Sequence, residues 1–284
     1  MNKFFLITLL FLSACLSNPS DELQATLEKD KVSIAEYAAK NNLKGTTTVW
    51  GGYHVIDQAG NSKTVQETSI NDIGVSLYLL NGIRFFKDSS YIFQANIGSF
   101  MPGITLATAL MREGEKARFL IPSLYAFGNQ AGQLNGVGIP ANSIVLAEIT
   151  HNAIRDIDSQ KKYEETIIRN YIDAKKWTAQ ESSGVYYVRQ QEGTGEVSKS
   201  GEIVRVAYTG KRLDGSTFDS SLGFTVSIDG GTVIEGWNIA LKMLKQGEKG
   251  TFFIPSHLAY GARGANGGIA PFETLIFEIE RLKQ

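Results

Sequence analysis

The stretch that decides the fold reads Tyr208-Thr-Gly-Lys-Arg-Leu-Asp-Gly215, Phe218-Asp-Ser-Ser221, Val233-Ile-Glu-Gly-Trp237 and Pro255-Ser-His-Leu-Ala-Tyr-Gly261, and closes on Thr274-Leu-Ile-Phe-Glu-Ile279. Tryptophan, phenylalanine and tyrosine dominate it, with no charged relay and no set of metal ligands. Taken singly, each residue has a plain structural reading. A tryptophan after glycine at a helix start belongs to a core, and an aspartate before two serines makes a cap or turn. Taken together and in this order, they describe an apolar pocket for a ring or an extended chain, with a few polar groups to orient it.

Working outward, much of this stretch has an earlier echo. Gly114-Glu-Lys116 ahead of Arg118-Phe-Leu-Ile-Pro-Ser123 answers Gly247-Glu-Lys249 ahead of Thr251-Phe-Phe-Ile-Pro-Ser256, at an offset of 133. Ala126-Phe-Gly128 answers Ala259-Tyr-Gly261, and Pro102-Gly103 answers Glu235-Gly236. Ile34-Ala-Glu-Tyr37 likewise resembles Ile168-Arg-Asn-Tyr171. Two copies at so long a period are duplicated domains, not a solenoid.

Each copy reads as a helix followed by strands. Ser20 can cap a helix to about Asn41, with Leu23, Leu27, Ile34 and Tyr37 as its apolar positions. A second helix is expected over residues 160–176, where Tyr163, Ile167 and Tyr171 recur at i+4 as one stripe. The polar residues 155–159 read as the hinge. Strands are expected at 185–190, 203–208, 224–228, 251–254 and 274–282, with a short helix at 237–245 among them. The fold class is α+β, an antiparallel sheet wrapped on a short helix, each copy preceded by a helix.

Over residues 201–283 the motifs closely resemble the FKBP-type peptidyl-prolyl cis-trans isomerases. The resemblance implies two tandem FKBP-like domains and a rotamase acting on proline-containing polypeptides without a cofactor. It implies Tyr208, Asp219, Trp237 and Tyr260 as catalytic residues, and Phe218, Phe224, Val233, Ile234, Ile269 and Phe277 as substrate-binding ones. Trp237 is then the pocket floor, the Tyr260 hydroxyl and Ile234 N–H are donors to substrate carbonyls, and Asp219 faces the carbonyl being turned. Ile269 closes over the substrate from a glycine-rich flap at 261–271. Two departures stand out. Only Ser-Ser-Leu-Gly separates Asp219 from Phe224, without a basic residue, and the flap carries Ala265-Asn-Gly-Gly268 before its first bulky apolar residue. In the first copy, Ile104 stands for Trp237, Phe127 for Tyr260, Val75 for Tyr208, Phe86 for Asp219 and Ala147 for Phe277. Phe85 and Phe93 persist there, as pocket or as core. That copy is expected to bind, pack or space without catalysing. The alternative reading of the whole chain is a non-catalytic adaptor or chaperone in an envelope complex.

The N-terminus reads as an export signal. Lys3 precedes an apolar run over residues 4–12, and Leu12-Ser-Ala-Cys15 matches a bacterial lipobox. Cys15 is the only cysteine, so no disulfide forms within the chain. The expected division is a signal peptide at 1–14, a lipidated tether at 15–22, the degenerate domain at 23–152, a linker and helix at 153–177, and the catalytic domain at 178–284. The expected place is the cell envelope, facing the periplasm or the surface. Leu16 after the cysteine favours the outer membrane over the inner. A formal net charge of −1 gives no basic footprint, which argues against nucleic-acid binding. His54, His151 and His257 show no metal-ligand spacing. The sequence carries no signal for an oligomeric state.

Overall fold

The computed structural model describes residues 19–266 and 268–283, so the leader and Cys15 lie outside the described residues. The first unit runs α1 (Pro19–Lys40), β1 (Thr46–Thr47), β2 (Tyr53–Gln58), β3 (Ile70–Leu79), β4 (Arg84–Gln94), α2 (Pro102–Ala109), β5 (Lys116–Ile121), β6 (Gly132–Leu134), β7 (Val137–Ile139) and β8 (Val145–Arg155). The second runs α3 (Ile157–Ala174), β9 (Gln180–Ser182), β10 (Val185–Gln191), β11 (Thr194–Val197), β12 (Ile203–Arg212), β13 (Thr217–Ser227), α4 (Glu235–Lys242), β14 (Lys245–Gln246), β15 (Lys249–Ile254) and β16 (Leu275–Arg281). Each unit carries a six-stranded antiparallel sheet, ordered β4-β3-β8-β5-β2-β1 and β13-β12-β16-β15-β10-β9. The two orders match strand for strand, so the repeat is one of topology and the class is α+β.

Period-two alternation builds each core. Ile73, Val75 and Leu77 of β3 point inward and are buried, as are Val204 and Val206 of β12. These faces close on the short helices, through Ile104 and Ala107 of α2 and through Trp237, Ala240 and Leu241 of α4. The helix and strand touch closely where the repeat keeps glycine. A Cβ on Gly103 would stand 2.3 Å from Ile121 Cγ2, and one on Gly236 would stand 2.3 Å from Ile254 Cγ2. Any larger residue would push the helix start off the strand.

A carboxylate staples each long helix to its sheet. Asp30 of α1, 5% exposed, accepts the Ser123 N–H at 2.8 Å and the Ser123 hydroxyl at 2.6 Å. Glu164 of α3, 1% exposed, accepts the Ser256 N–H at 2.6 Å and its hydroxyl at 2.7 Å. Charge-assisted bonds of this kind compensate the desolvation of the buried carboxylate.

Several expectations need correction. Ser20 lies inside α1 rather than capping it, since Pro19 is already helical. Leu23 is exposed, and α1 packs through Ile34 and Ala38. The buried stripe of α3 is Gln160, Glu164, Ile168 and Ile172, with Tyr163, Ile167 and Tyr171 half-buried beside it. The shift arises because Glu164 is satisfied by Ser256 and Gln160 donates to Glu164 at 2.9 Å, so polar residues can occupy the buried face. Residues 155–159 are no free hinge. Arg155 ends β8, Asp156 caps α3 by accepting the Ser159 N–H at 2.7 Å, and the Arg155 guanidinium lies 3.9 Å from the Tyr163 ring centroid. Strand β13 begins at Thr217 rather than at Phe224, and α4 ends at Lys242 because Lys245 joins β14.

Candidate active site

The site forms where β12, β13, β16 and the start of α4 converge. Gly210 of β12 lies opposite Asp219 of β13 on one side and Phe277 of β16 on the other. A Cβ on Gly210 would meet ring carbons of Phe218 at 2.7 Å and Phe277 at 3.0 Å. Glycine therefore lets the two rings close over the strand, and they pack edge to face at 5.6 Å. Trp237, the third residue of α4, is the hub. Its ring meets Tyr208 at 4.8 Å, Phe277 at 5.3 Å and Phe224 at 5.9 Å, each nearly perpendicular. T-shaped packing of this kind fixes the rings and leaves a shaped apolar hollow.

That hollow is a cavity of about 420 Å³, lined by Tyr208, Phe218, Asp219, Phe224, Val233, Ile234, Trp237, Tyr260 and Phe277. Nine of the expected residues thus meet around one space. Ile269 does not line it. It is buried with 8% exposure in the core of the same unit, its backbone paired with Ala265. Gly231 and Thr232 also line the cavity and were not singled out by sequence. Their only signal was the Gly230-Gly231-Thr232 turn between strand and helix.

The polar groups divide into two kinds. The Tyr208 hydroxyl donates to Asp219 Oδ2 at 2.7 Å, and Asp219 Oδ1 accepts the Ser220 N–H at 2.8 Å. Burial, then the carboxylate of Asp219, pushes the Tyr208 phenol up to about 12. By contrast, the Tyr260 hydroxyl and the Ile234 N–H have no hydrogen-bond partner among the described residues. Burial and Asp219 raise the Tyr260 phenol too, so it remains a donor through neutral pH. Two free donors and a held carboxylate on an aromatic cavity suit a ligand with carbonyl oxygens and an apolar ring.

The family of FKBP-type peptidyl-prolyl cis-trans isomerases matches residues 62–150 and 195–282, more than half of the chain. The chain belongs to this family. It is 45% identical over 97 residues to an FK506-binding protein of Neisseria meningitidis, covering 33% of this chain and 89% of the relative. It is 43% identical over 103 residues to the FKBP-type 22 kDa peptidyl-prolyl cis-trans isomerase of Escherichia coli, covering 36% of this chain and 50% of that one. An FKBP-type isomerase of Aeromonas hydrophila is 38% identical over 143 residues, 50% of this chain and 51% of the relative. The chain thus spans about half the length of the last two.

The first FKBP domain presents a different surface at the same place. In its sheet, Val75 lies opposite Ile149 as Tyr208 lies opposite Ile279, and Leu77 is flanked by Phe86 and Ala147 as Gly210 is by Asp219 and Phe277. Ile104 is fully buried where Trp237 floors the cavity. Phe100 packs against Phe86 at 5.0 Å and Tyr91 at 5.3 Å, and Phe127 meets Phe85 at 5.7 Å. Phe85 and Phe93 are core residues. The Phe100 N–H donates to the Tyr91 hydroxyl, and the Met101 N–H, counterpart of Ile234, to Ser99 Oγ.

A larger groove of about 670 Å³ lies on this domain, lined in part by Asp57, Lys87, Asp88, Lys116, Arg118 and Glu148. Arg118 is spent on Asp57 at 2.7 Å and Glu148 accepts the Tyr78 hydroxyl, and the groove has no aromatic wall. Size alone therefore does not make it the site; the smaller aromatic cavity holds the convergent donors.

Proposed function

We propose that the second FKBP domain catalyses cis–trans isomerisation of X–Pro bonds in exported polypeptides. The observation that carries this is a pair of donors without a partner among the described residues, Tyr260 O–H and Ile234 N–H, on residues that line one aromatic cavity with Trp237.

The chemistry needs neither nucleophile nor net proton transfer. Resonance in the C–N bond sets a barrier of roughly 18–20 kcal/mol. Twisting the amide breaks that resonance and frees the carbonyl to rotate away from planarity. A dry cavity that fits the twisted form better than either planar form lowers the barrier. In this reading the proline ring sits on Trp237. The Ile234 N–H and Tyr260 hydroxyl hold carbonyls on either side of the bond. Asp219, fixed by Tyr208 and by the Ser220 N–H, faces the carbonyl that turns.

The first domain acts as a spacer and the chain is held in the envelope by a lipidated Cys15. Lys3, the apolar run over 4–12 and Leu12-Ser-Ala-Cys15 support the anchor. Several acyl chains on that cysteine would hold firmly where one would not. A protease-coupled assay on an X–Pro tetrapeptide tests the activity. The full chain should accelerate isomerisation; a folded chain that leaves only the spontaneous rate defeats the reading. Fractionation of a Cys15→Ser chain tests the anchor, with movement out of the membrane fraction or stalled processing expected.

A further inference from the structure

The second domain holds one arginine whose bonds converge behind the cavity wall. Arg212 ends β12, and its backbone is fixed in the hairpin to β13, its N–H donating to Ser216 O at 2.9 Å. Its guanidinium reaches three places. Nη2 donates to the Gly268 carbonyl at 2.6 Å, Nε lies 3.2 Å from Glu273 Oε1, and Nη1 donates to Ser216 Oγ at 3.3 Å. It also lies 5.7 Å from the ring centroid of Phe218, a wall of the cavity. Glu273 carries the hold further, its Oε2 accepting the Ala270 N–H at 2.7 Å. The pair therefore grips the backbone on both sides of Ile269 and ties it to Phe218. Both side chains are largely withdrawn from solvent, at 24% and 18% exposure. Such pairs are screened less than surface ones, and guanidinium geometry gives them direction.

The first domain shows what the fold needs without a cavity. Leu79 lies opposite Val145 as Arg212 lies opposite Leu275. The segment before Val145 is there a hairpin of β6 and β7, tied instead by Asn135 Nδ2 to the Phe85 carbonyl at 3.0 Å. The carboxylate–serine staple recurs in both domains, as a device of the fold does. Among the described residues, the Arg212 latch has no counterpart in the first domain, where Leu79 stands instead.

We propose that Arg212, braced by Glu273, is a positioning residue that, by gripping the Gly268–Ala270 backbone, sets the cavity wall Phe218 in the geometry a prolyl substrate meets. The proposal rests on the isomerase reading for its kinetic arm only. The experiment compares the full chain with Arg212→Ala, Arg212→Lys and Glu273→Gln. It reads KM and kcat on an X–Pro tetrapeptide, and amide hydrogen exchange over residues 261–275. Arg212→Ala should lower kcat/KM on the order of three- to tenfold, carried by KM. Arg212→Lys should recover part of that loss, and Glu273→Gln should fall between. Amides at 268–272 should exchange faster while those of α4 do not change. A folded Arg212→Ala chain within about twofold of the parent overturns the proposal. So does a loss that only tracks the unfolded fraction, or unchanged exchange at 268–272. If Arg212→Ala does not fold, Glu273→Gln decides on the same readouts. If the parent itself is inactive, the isomerase reading fails and the exchange measurement alone decides the latch.

Discussion

The two FKBP domains share a strand order, a glycine-tight contact between short helix and strand, and a carboxylate–serine staple. They differ at the few side chains that make a hollow. Ile104, Phe127, Val75, Phe86 and Ala147 stand where the second domain has Trp237, Tyr260, Tyr208, Asp219 and Phe277. The comparison separates what folds the unit from what equips it. Sheet order and core alternation survive the loss of the Tyr208, Asp219 and Tyr260 polar side chains, since those groups contribute little to the core. The converse is that the donors are available to a ligand because the fold does not use them.

Exchanging the floor should break the comparison most. Trp237→Ile gives the second domain the residue that the first already has. It removes three edge-to-face contacts and admits water. We expect kcat/KM to fall by about tenfold to a hundredfold, measured in the coupled assay on the folded variant. The reverse change, Ile104→Trp, should create no activity. It should instead destabilise the chain by about 1–3 kcal/mol, because Ile104 is fully buried in a packed core.

Acid should next bear harder on the first domain, although burial lowers His257 of the second domain as well. His151 is fully buried, neither ring nitrogen has a partner among the described residues, and burial lowers it to about 4 although Glu113 and Asp72 favour its protonation. Between that value and the ordinary value near 6.5, the unfolded chain binds a proton that the folded chain excludes. Stability is therefore full above about pH 6.5 and is lost as pH falls toward about 4, by roughly 3 kcal/mol in total. In the second sheet the corresponding position is Arg281, opposite Val206 as His151 is opposite Ile73, and it pairs with Glu202 at 2.9 Å. Thermal unfolding across this range should show the first domain weakening on account of this histidine. His151→Leu should flatten its acid dependence, since no hydrogen bond is sacrificed. An acid slope unchanged in that variant would assign the effect elsewhere.

The smallest expected effect is at Tyr260. Tyr260→Phe removes a hydroxyl that bonds no other described residue of the free protein, so stability should not change. Loss of one bond to the bound substrate corresponds to about 0.5–1.5 kcal/mol, or roughly two- to tenfold in kcat/KM. A drop in melting temperature without a kinetic change would give the hydroxyl a structural role instead.

Much of this was legible in the sequence, and the residues show why. Trp237, Tyr208, Phe277 and the rest of the cavity sit at fixed distances along one short stretch, and the repeat supplied the topology twice. What escaped were pairings over long separations and polar residues in apolar places. Gln160 and Glu164 occupy the buried face of α3 because Ser256 satisfies Glu164, which no local periodicity reveals. Arg212 meets Glu273 and Gly268 only once the sheet has formed. The resemblance places Ile269 over the substrate; in the free protein its side chain is buried in the core, a packing that no local pattern reveals. The residues expected as a hinge hold ordered structure, because Asp156 caps a helix there.

The central claim is that one copy is the catalyst and the other is not. It is tested most directly by assaying the two units apart. A fragment of residues 156–284 keeps Asp156, the cap of α3, and Glu164, its staple, and the partner fragment covers residues 19–155. With both folded by circular dichroism, the 156–284 fragment should retain most of the full chain's isomerase rate and the 19–155 fragment should match the uncatalysed rate. Comparable activity in both fragments, or activity only in the first, would contradict the account.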